Sequence, residues 1–86
     1  MFRLTVSSAE KTYFDGQAVS LTVPGEAGSF CLLAHHAPIA AVLGPGTMQY
    51  RLDGEPAARS LRLSGVNFLT FGAGGCRVFL ENPPAE

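Results

Sequence analysis

Phe2, Leu4 and Val6 alternate with Arg3 and Thr5, the period of two that a strand shows when one face meets a core. The next β-rich stretch, Ala18 to Val23, is predicted to place Val19, Leu21 and Val23 on one face. Asp15-Gly16 is expected to turn the chain just before it, and Pro24-Gly25 to stop it, because Asp-Gly closes tight turns and Pro cannot donate to a ladder. Met48, Tyr50 and Leu52 alternate with Gln49 and Arg51; after Asp53-Gly54-Glu55-Pro56, Leu61 and Leu63 return on the inward side, which predicts an antiparallel hairpin. A second hairpin is expected from Val66–Phe71 and Cys76–Glu81 around Gly72-Ala73-Gly74-Gly75. After residue 15 glycine or proline interrupts each window long enough for an amphipathic helix, residues 1–15 open on the period of two just described, and only Ala37–Leu43 is ambiguous. The predicted class is therefore all-β, a small antiparallel β-sandwich or flattened barrel over residues 1–82, followed by a short Pro-rich tail over 83–86.

Composition adds one point to that picture. The 86 residues suffice for a single core, and their charged fraction of 15% lies well under the usual value of about 25%. Part of the surface must be apolar, as at a partner interface. A net charge of −1 with six scattered Lys and Arg leaves no basic stripe for phosphates, so nucleic acid is not an expected partner. The apolar runs are too short to cross a bilayer and Met1-Phe2-Arg3-Leu4 does not open a signal peptide, so the chain is expected neither to be secreted nor to span a membrane by itself. Cys31 and Cys76 lack a CxxC spacing and are expected to be small buried hydrophobes.

The chemistry-bearing residues do not assemble into a catalytic set. His35 and His36 are adjacent, and on a strand they would point to opposite faces, which argues against one shared metal ion. Asp15 and Asp53 each precede glycine and read as turn formers. The serines lack a G-x-S-x-G elbow, and Gly25-x-x-Gly28 lacks the Lys-Ser or Lys-Thr of a phosphate-cradling loop. No catalytic, cofactor-binding or metal-binding residues are assigned.

The run Pro24-Gly25-Glu26-Ala27-Gly28-Ser29-Phe30-Cys31-Leu32-Leu33-Ala34-His35-His36-Ala37-Pro38, then Leu43-Gly44-Pro45-Gly46, Ser64-Gly65-Val66-Asn67-Phe68-Leu69 and Val78-Phe79-Leu80, with Phe14-Asp15-Gly16 ahead of them, carries a resemblance. In order and spacing it resembles the N-terminal β-sandwich domain of the epsilon subunit of F-type ATP synthases, called delta in mitochondria. Departures are Cys31 where glycine is usual, Ala34 where proline is usual, and Val66-Asn67 in place of a second glycine. The resemblance implies a non-catalytic rotor component of the central stalk that packs on the gamma subunit and touches the c-ring, coupling ATP synthesis or hydrolysis to proton or sodium transport. It implies no cofactor, no nucleic acid and only indirect membrane contact through the c-ring, at the cytoplasmic face of the inner (plasma) membrane. Most bacterial family members continue into a C-terminal helical hairpin, which this chain is expected to lack. By resemblance, Glu26, Ala27, Gly28, Ser29, His36, Ala37 and Pro38 lie toward the c-ring, while Leu32, Leu33, Ile39, Val42 and Leu43 are divided between core and gamma contact. Two other classes stay open beside it: a free-standing β-sandwich that binds a ligand or peptide, and a compact cupin-type metalloenzyme.

Overall fold

The computed structural model describes residues 1–82; the Pro-rich tail expected over 83–86 lies outside the described residues. Eight strands follow in order: β1 (Phe2–Ser8), β2 (Thr12–Gly25), β3 (Gly28–Leu33), β4 (Ile39–Leu43), β5 (Gly46–Leu52), β6 (Arg59–Leu63), β7 (Asn67–Gly72) and β8 (Gly75–Leu80). They run β1-β8-β7-β4-β2-β5-β6, with β3 on β2 and a further β1–β2 pairing that closes the sheet on itself. The expected all-β flattened barrel is thus present, with one departure: β1 and β8 pair parallel, all other neighbours antiparallel. Ala37–Leu43, ambiguous in sequence, supplies β4, where the β-branched Ile39 and Val42 fit a pleated ladder with β7.

β2 sets the shape. Its first half pairs with β1 and its second half with β5 and β3, so one strand of 14 residues serves both layers. Asp15-Gly16 does not turn the chain; both residues lie within this strand, opposite Thr5 and Leu4. Asp15 is used across the ladder instead, accepting from Arg3 Nε at 2.9 Å and Nη2 at 2.8 Å. The reversal falls earlier, at Ser8–Lys11, where Ser8 N–H donates to Lys11 O at 2.8 Å and Ser8 Oγ accepts from the Glu10 and Lys11 amides. A register shift between Ala18 and Ser20 carries β2 from one layer to the other. A one-residue shift exchanges the faces of a strand, and so Ala18, not Val19, joins Leu21 and Val23 inside.

The core gathers Phe2, Leu4 and Val6 of β1, Met48 and Tyr50 of β5, Leu63 of β6, Leu69 and Phe71 of β7, and Cys76, Val78 and Leu80 of β8. Phe2 meets Phe71 edge-on with centroids 5.4 Å apart, a favoured aromatic arrangement. Asn67 is the one fully buried polar side chain among the described residues. It is satisfied: Nδ2 donates to Ser64 O at 3.3 Å and Oδ1 accepts from Glu81 N–H at 3.2 Å, tying the β6–β7 connection to the end of β8.

Candidate functional site

The predicted site residues begin at the β2–β3 turn. Gly25 and Gly28 form the closing pair, Glu26-Ala27 is the two-residue loop, and Gly28 takes φ +133°, a conformation that glycine adopts without a Cβ penalty. Glu26, Ala27, Gly28 and Ser29 are all exposed. Two backbone bonds fasten this turn to the end of β4: Glu26 N–H donates to Val42 O at 3.0 Å, and Gly44 N–H to Pro24 O at 2.9 Å. Ion pairs among the described residues join Arg3 to Asp15 and Arg59 to Glu55, and Glu26 takes part in neither.

His36, Ala37 and Pro38 are also exposed, but at the other end of β3. Six residues at about 3.3 Å each separate the two groups by about 20 Å, so a single contact using both must run the length of the strand. The two histidines stand in the connection between β3 and β4, not on a strand as the alternation argument supposed. His36 N–H donates to Leu33 O at 3.0 Å, and His36 Nδ1 lies 2.7 Å from Ala37 O. Along the way between turn and histidines, among the described residues β3 pairs only with β2 and its other edge is open. One hollow of about 450 Å³ borders this edge, lined by Gly28, Ser29, Phe30, Ile39, Ala41 and Val42 among others; a second of about 330 Å³ is lined by Cys31, Leu33, His35 and His36.

The five aliphatics separate. Leu32 and Leu43 are fully buried in the core and can offer no surface to a partner, which corrects their place among gamma-contact candidates. Both point inward because their register partners, Leu21 and Gly25, bring them over the barrel interior. Ile39 is half-buried against that core, while Leu33 is 56% and Val42 37% exposed. Cys31 is exposed as well, contrary to expectation, because it lies one position out of phase with buried Leu32. Cys76 is buried as expected, and burial pushes its thiol up to about 12.

Val42 has companions that the sequence reading missed. Phe68 of β7 lies directly opposite Val42 of β4 on one side and opposite Phe79 of β8 on the other. Phe68 and Phe79 remain 42% and 43% exposed, so the three form an apolar row across the outside of three strands. A signal was available. Val78-Phe79-Leu80 and Phe68-Leu69 are apolar at successive positions, and a strand with one solvated face should alternate.

These features define a small β-sandwich with an apolar outer row, joined through Val42 to an exposed turn. The family described as the ATP synthase delta/epsilon chain β-sandwich domain matches residues 1–68, and the chain belongs to it. The ATP synthase epsilon chain of Leptospira borgpetersenii serovar Hardjo-bovis (strain JB197) is 44% identical over 48 residues, covering 56% of this chain and 38% of that protein. That of Rhodopseudomonas palustris (strain BisB18) is 40% identical over 53 residues, covering 62% and 39%. The chain thus spans about two-fifths of the length of these relatives. Among solved structures, a chain of the Tetrahymena thermophila mitochondrial ATP synthase central stalk/c-ring superposes with a TM-score of 0.76 at 19% identity, covering 93% of this chain and 63% of that one. A chain of the Euglena gracilis mitochondrial ATP synthase gives 0.82 at 18%, covering 94% and 51%. At such identities the likeness establishes the fold.

Proposed function

We propose that this chain serves as a non-catalytic central-stalk element of an F-type ATP synthase, linking the gamma subunit to the c-ring while ATP synthesis or hydrolysis is coupled to proton or sodium transport. The observation that carries this reading is the row Val42–Phe68–Phe79 on the outside of β4, β7 and β8. Water-exposed aromatics side by side on a chain this poor in charge favour a docked face over a solvated one. We assign that face to gamma and the seam along β3, from Glu26–Ser29 to His36–Pro38, to the polar loops of the c-ring. Leu33 and Ile39 belong to the seam; Val42 stands where seam and row meet.

The work asked of such a part is mechanical. Torque transfer needs a stiff body, which a closed, close-packed barrel supplies, and a broad grip, for which a standard interface of about 800 Å² per partner is the reference. The row alone is narrower than that, so the gamma contact must spread onto neighbouring positions such as Ala40 and Thr70 beside it. Through the ring the chain would be held peripherally at the cytoplasmic face of the membrane. Capture of gamma and c-ring from the native host by the tagged chain tests the assignment. Capture lost in a Phe68→Glu/Phe79→Glu chain and kept in a Gln49→Glu chain supports it, and capture of neither subunit by the unaltered chain overturns it.

A further inference from the structure

We infer that His36 is a positioning residue, which acts on the proposed ring contact by fixing the connection that carries Ala37 and Pro38; this rests on the functional reading just given. A carbonyl only accepts, so at 2.7 Å from Ala37 O the His36 Nδ1 carries the proton and donates it. The same residue's N–H donates to Leu33 O. Its ring meets Phe71 edge-on with centroids 5.9 Å apart, and Phe71 is in turn held by Phe2 at 5.4 Å. His36 is therefore gripped at three places: the end of β3, the carbonyl in front of Pro38, and the core aromatic whose backbone pairs with Ile39.

Each grip bears on the lead into β4. Pro38 has no N–H and restricts Ala37 to extended backbone, so neither residue's backbone can be steadied by a ladder bond from Pro38 nitrogen. The imidazole supplies a bond there instead. It ties Ala37 to β7 through Phe71, across the only stretch between β3 and β4 that belongs to no strand. The direct alternative is that His36 touches the partner through Nε2, the ring nitrogen that this arrangement leaves unused.

Three substitutions distinguish the two roles. The amide nitrogen of asparagine, like Nδ1, sits one bond beyond Cγ and can reach Ala37 O; that of glutamine sits one bond further, nearer the place of Nε2. Two readouts are taken on the whole 86-residue chain: amide hydrogen exchange at His36 and Ile39, which needs no partner, and binding to a purified gamma–c-ring subcomplex. His36→Ala is expected to speed exchange at His36 and weaken binding each by about tenfold, the effect of losing roughly one net hydrogen bond. His36→Asn, which regains the bond to Ala37 O but not the ring contact with Phe71, is expected to recover part of both losses, and His36→Gln neither. Binding restored by Gln but not by Asn overturns the inference in favour of direct contact. Unchanged exchange in His36→Ala, or faster exchange with full binding, overturns it too. An unaltered chain that does not bind the subcomplex refutes the rotor assignment, and with it the tie of His36 to a ring contact, while the exchange data still report whether the clamp exists.

Discussion

The two outer faces of the barrel are built on equally regular ladders yet carry different side chains. Over β2, β5 and β6 the outward positions are Ser20, Thr22, Gln49, Arg51, Ser60 and Arg62, paired across the strands as Ser20–Arg51, Thr22–Gln49 and Gln49–Ser60. Over β4, β7 and β8 they include Val42, Phe68 and Phe79. The interior is served alike by both, since Leu21, Met48 and Leu63 under the first face are as buried as Leu43, Leu69 and Val78 under the second. Folding therefore accounts for what points inward and leaves the outward choice free. A polar outer face needs only water. An apolar one, exposed on two phenylalanines, gains its free energy when something covers it.

Placing charge in the row should separate the faces most sharply. Phe68→Glu/Phe79→Glu is expected to weaken capture of gamma by at least about a hundredfold, since buried aromatics are the usual hot spots of an interface and each would be replaced by an unpaired charge. The isolated chain should lose only about 1–2 kcal/mol, the effect of replacing a cross-strand aromatic pair on β7 and β8 by two facing like charges, and should stay folded. Gln49→Glu on the opposite face, measured alongside, should change neither quantity. Equal losses from both faces, read by surface-immobilised binding and thermal melting, would erase the distinction.

A step down in size, Asn67 tests what keeps the apolar face flat. It begins β7, next to Phe68, and its side chain bonds both Ser64 O and Glu81 N–H. Asn67→Leu leaves those two backbone groups without their partner in a buried corner and is expected to cost about 1–3 kcal/mol in a urea melt. Binding through the row should fall with it, because the register of Phe68 against Phe79 depends on that corner. A variant as stable as the unaltered chain would show the corner to be redundant.

The interior was legible in the sequence and the outer faces were only partly so, for one physical reason. Alternation reports the face that must be apolar, so β1, β5, β6 and most of β7 and β8 could be read from residues such as Leu4, Tyr50 and Leu63. Where a strand is apolar on both faces, as at Val78-Phe79-Leu80, the pattern is silent about which residue looks out. Asp15-Gly16 misled because local turn chemistry was outweighed by a cross-strand bond to Arg3, a partner twelve positions away. Val19 misled because a register shift cannot be seen without the opposing strand. For the candidate site, the resemblance pointed to Glu26–Ser29 and His36–Pro38, which are exposed, but not to the length of strand between them, and it drew in Leu32 and Leu43, which are core.

The smallest effect belongs to the charged margin of the same layer, where β1 meets the first half of β2. The Arg3 hydrogen bond holds the Asp15 carboxyl below the usual carboxylate range; desolvation, the next largest influence, pushes the other way, and the charge of Arg3, then Thr5 and the charge of Arg77 add to the lowering. A carboxylate whose folded value is depressed adds stability above its unfolded value, and loses that contribution as pH falls through the folded one. Asp15→Asn should therefore melt slightly below the unaltered chain near neutral pH, and the gap should close as pH drops below about 3.9, the ordinary aspartate value. Because the pair is solvent-exposed, salt should narrow the same gap at neutral pH. Capture of gamma should be unaffected by the change, since Arg3 and Asp15 stand apart from Val42, Phe68 and Phe79 on the far side of β8. Loss of capture in Asp15→Asn would instead extend the docked face from the apolar row across β8 to this ion pair, and the layer would then act as one surface from β4 to β2.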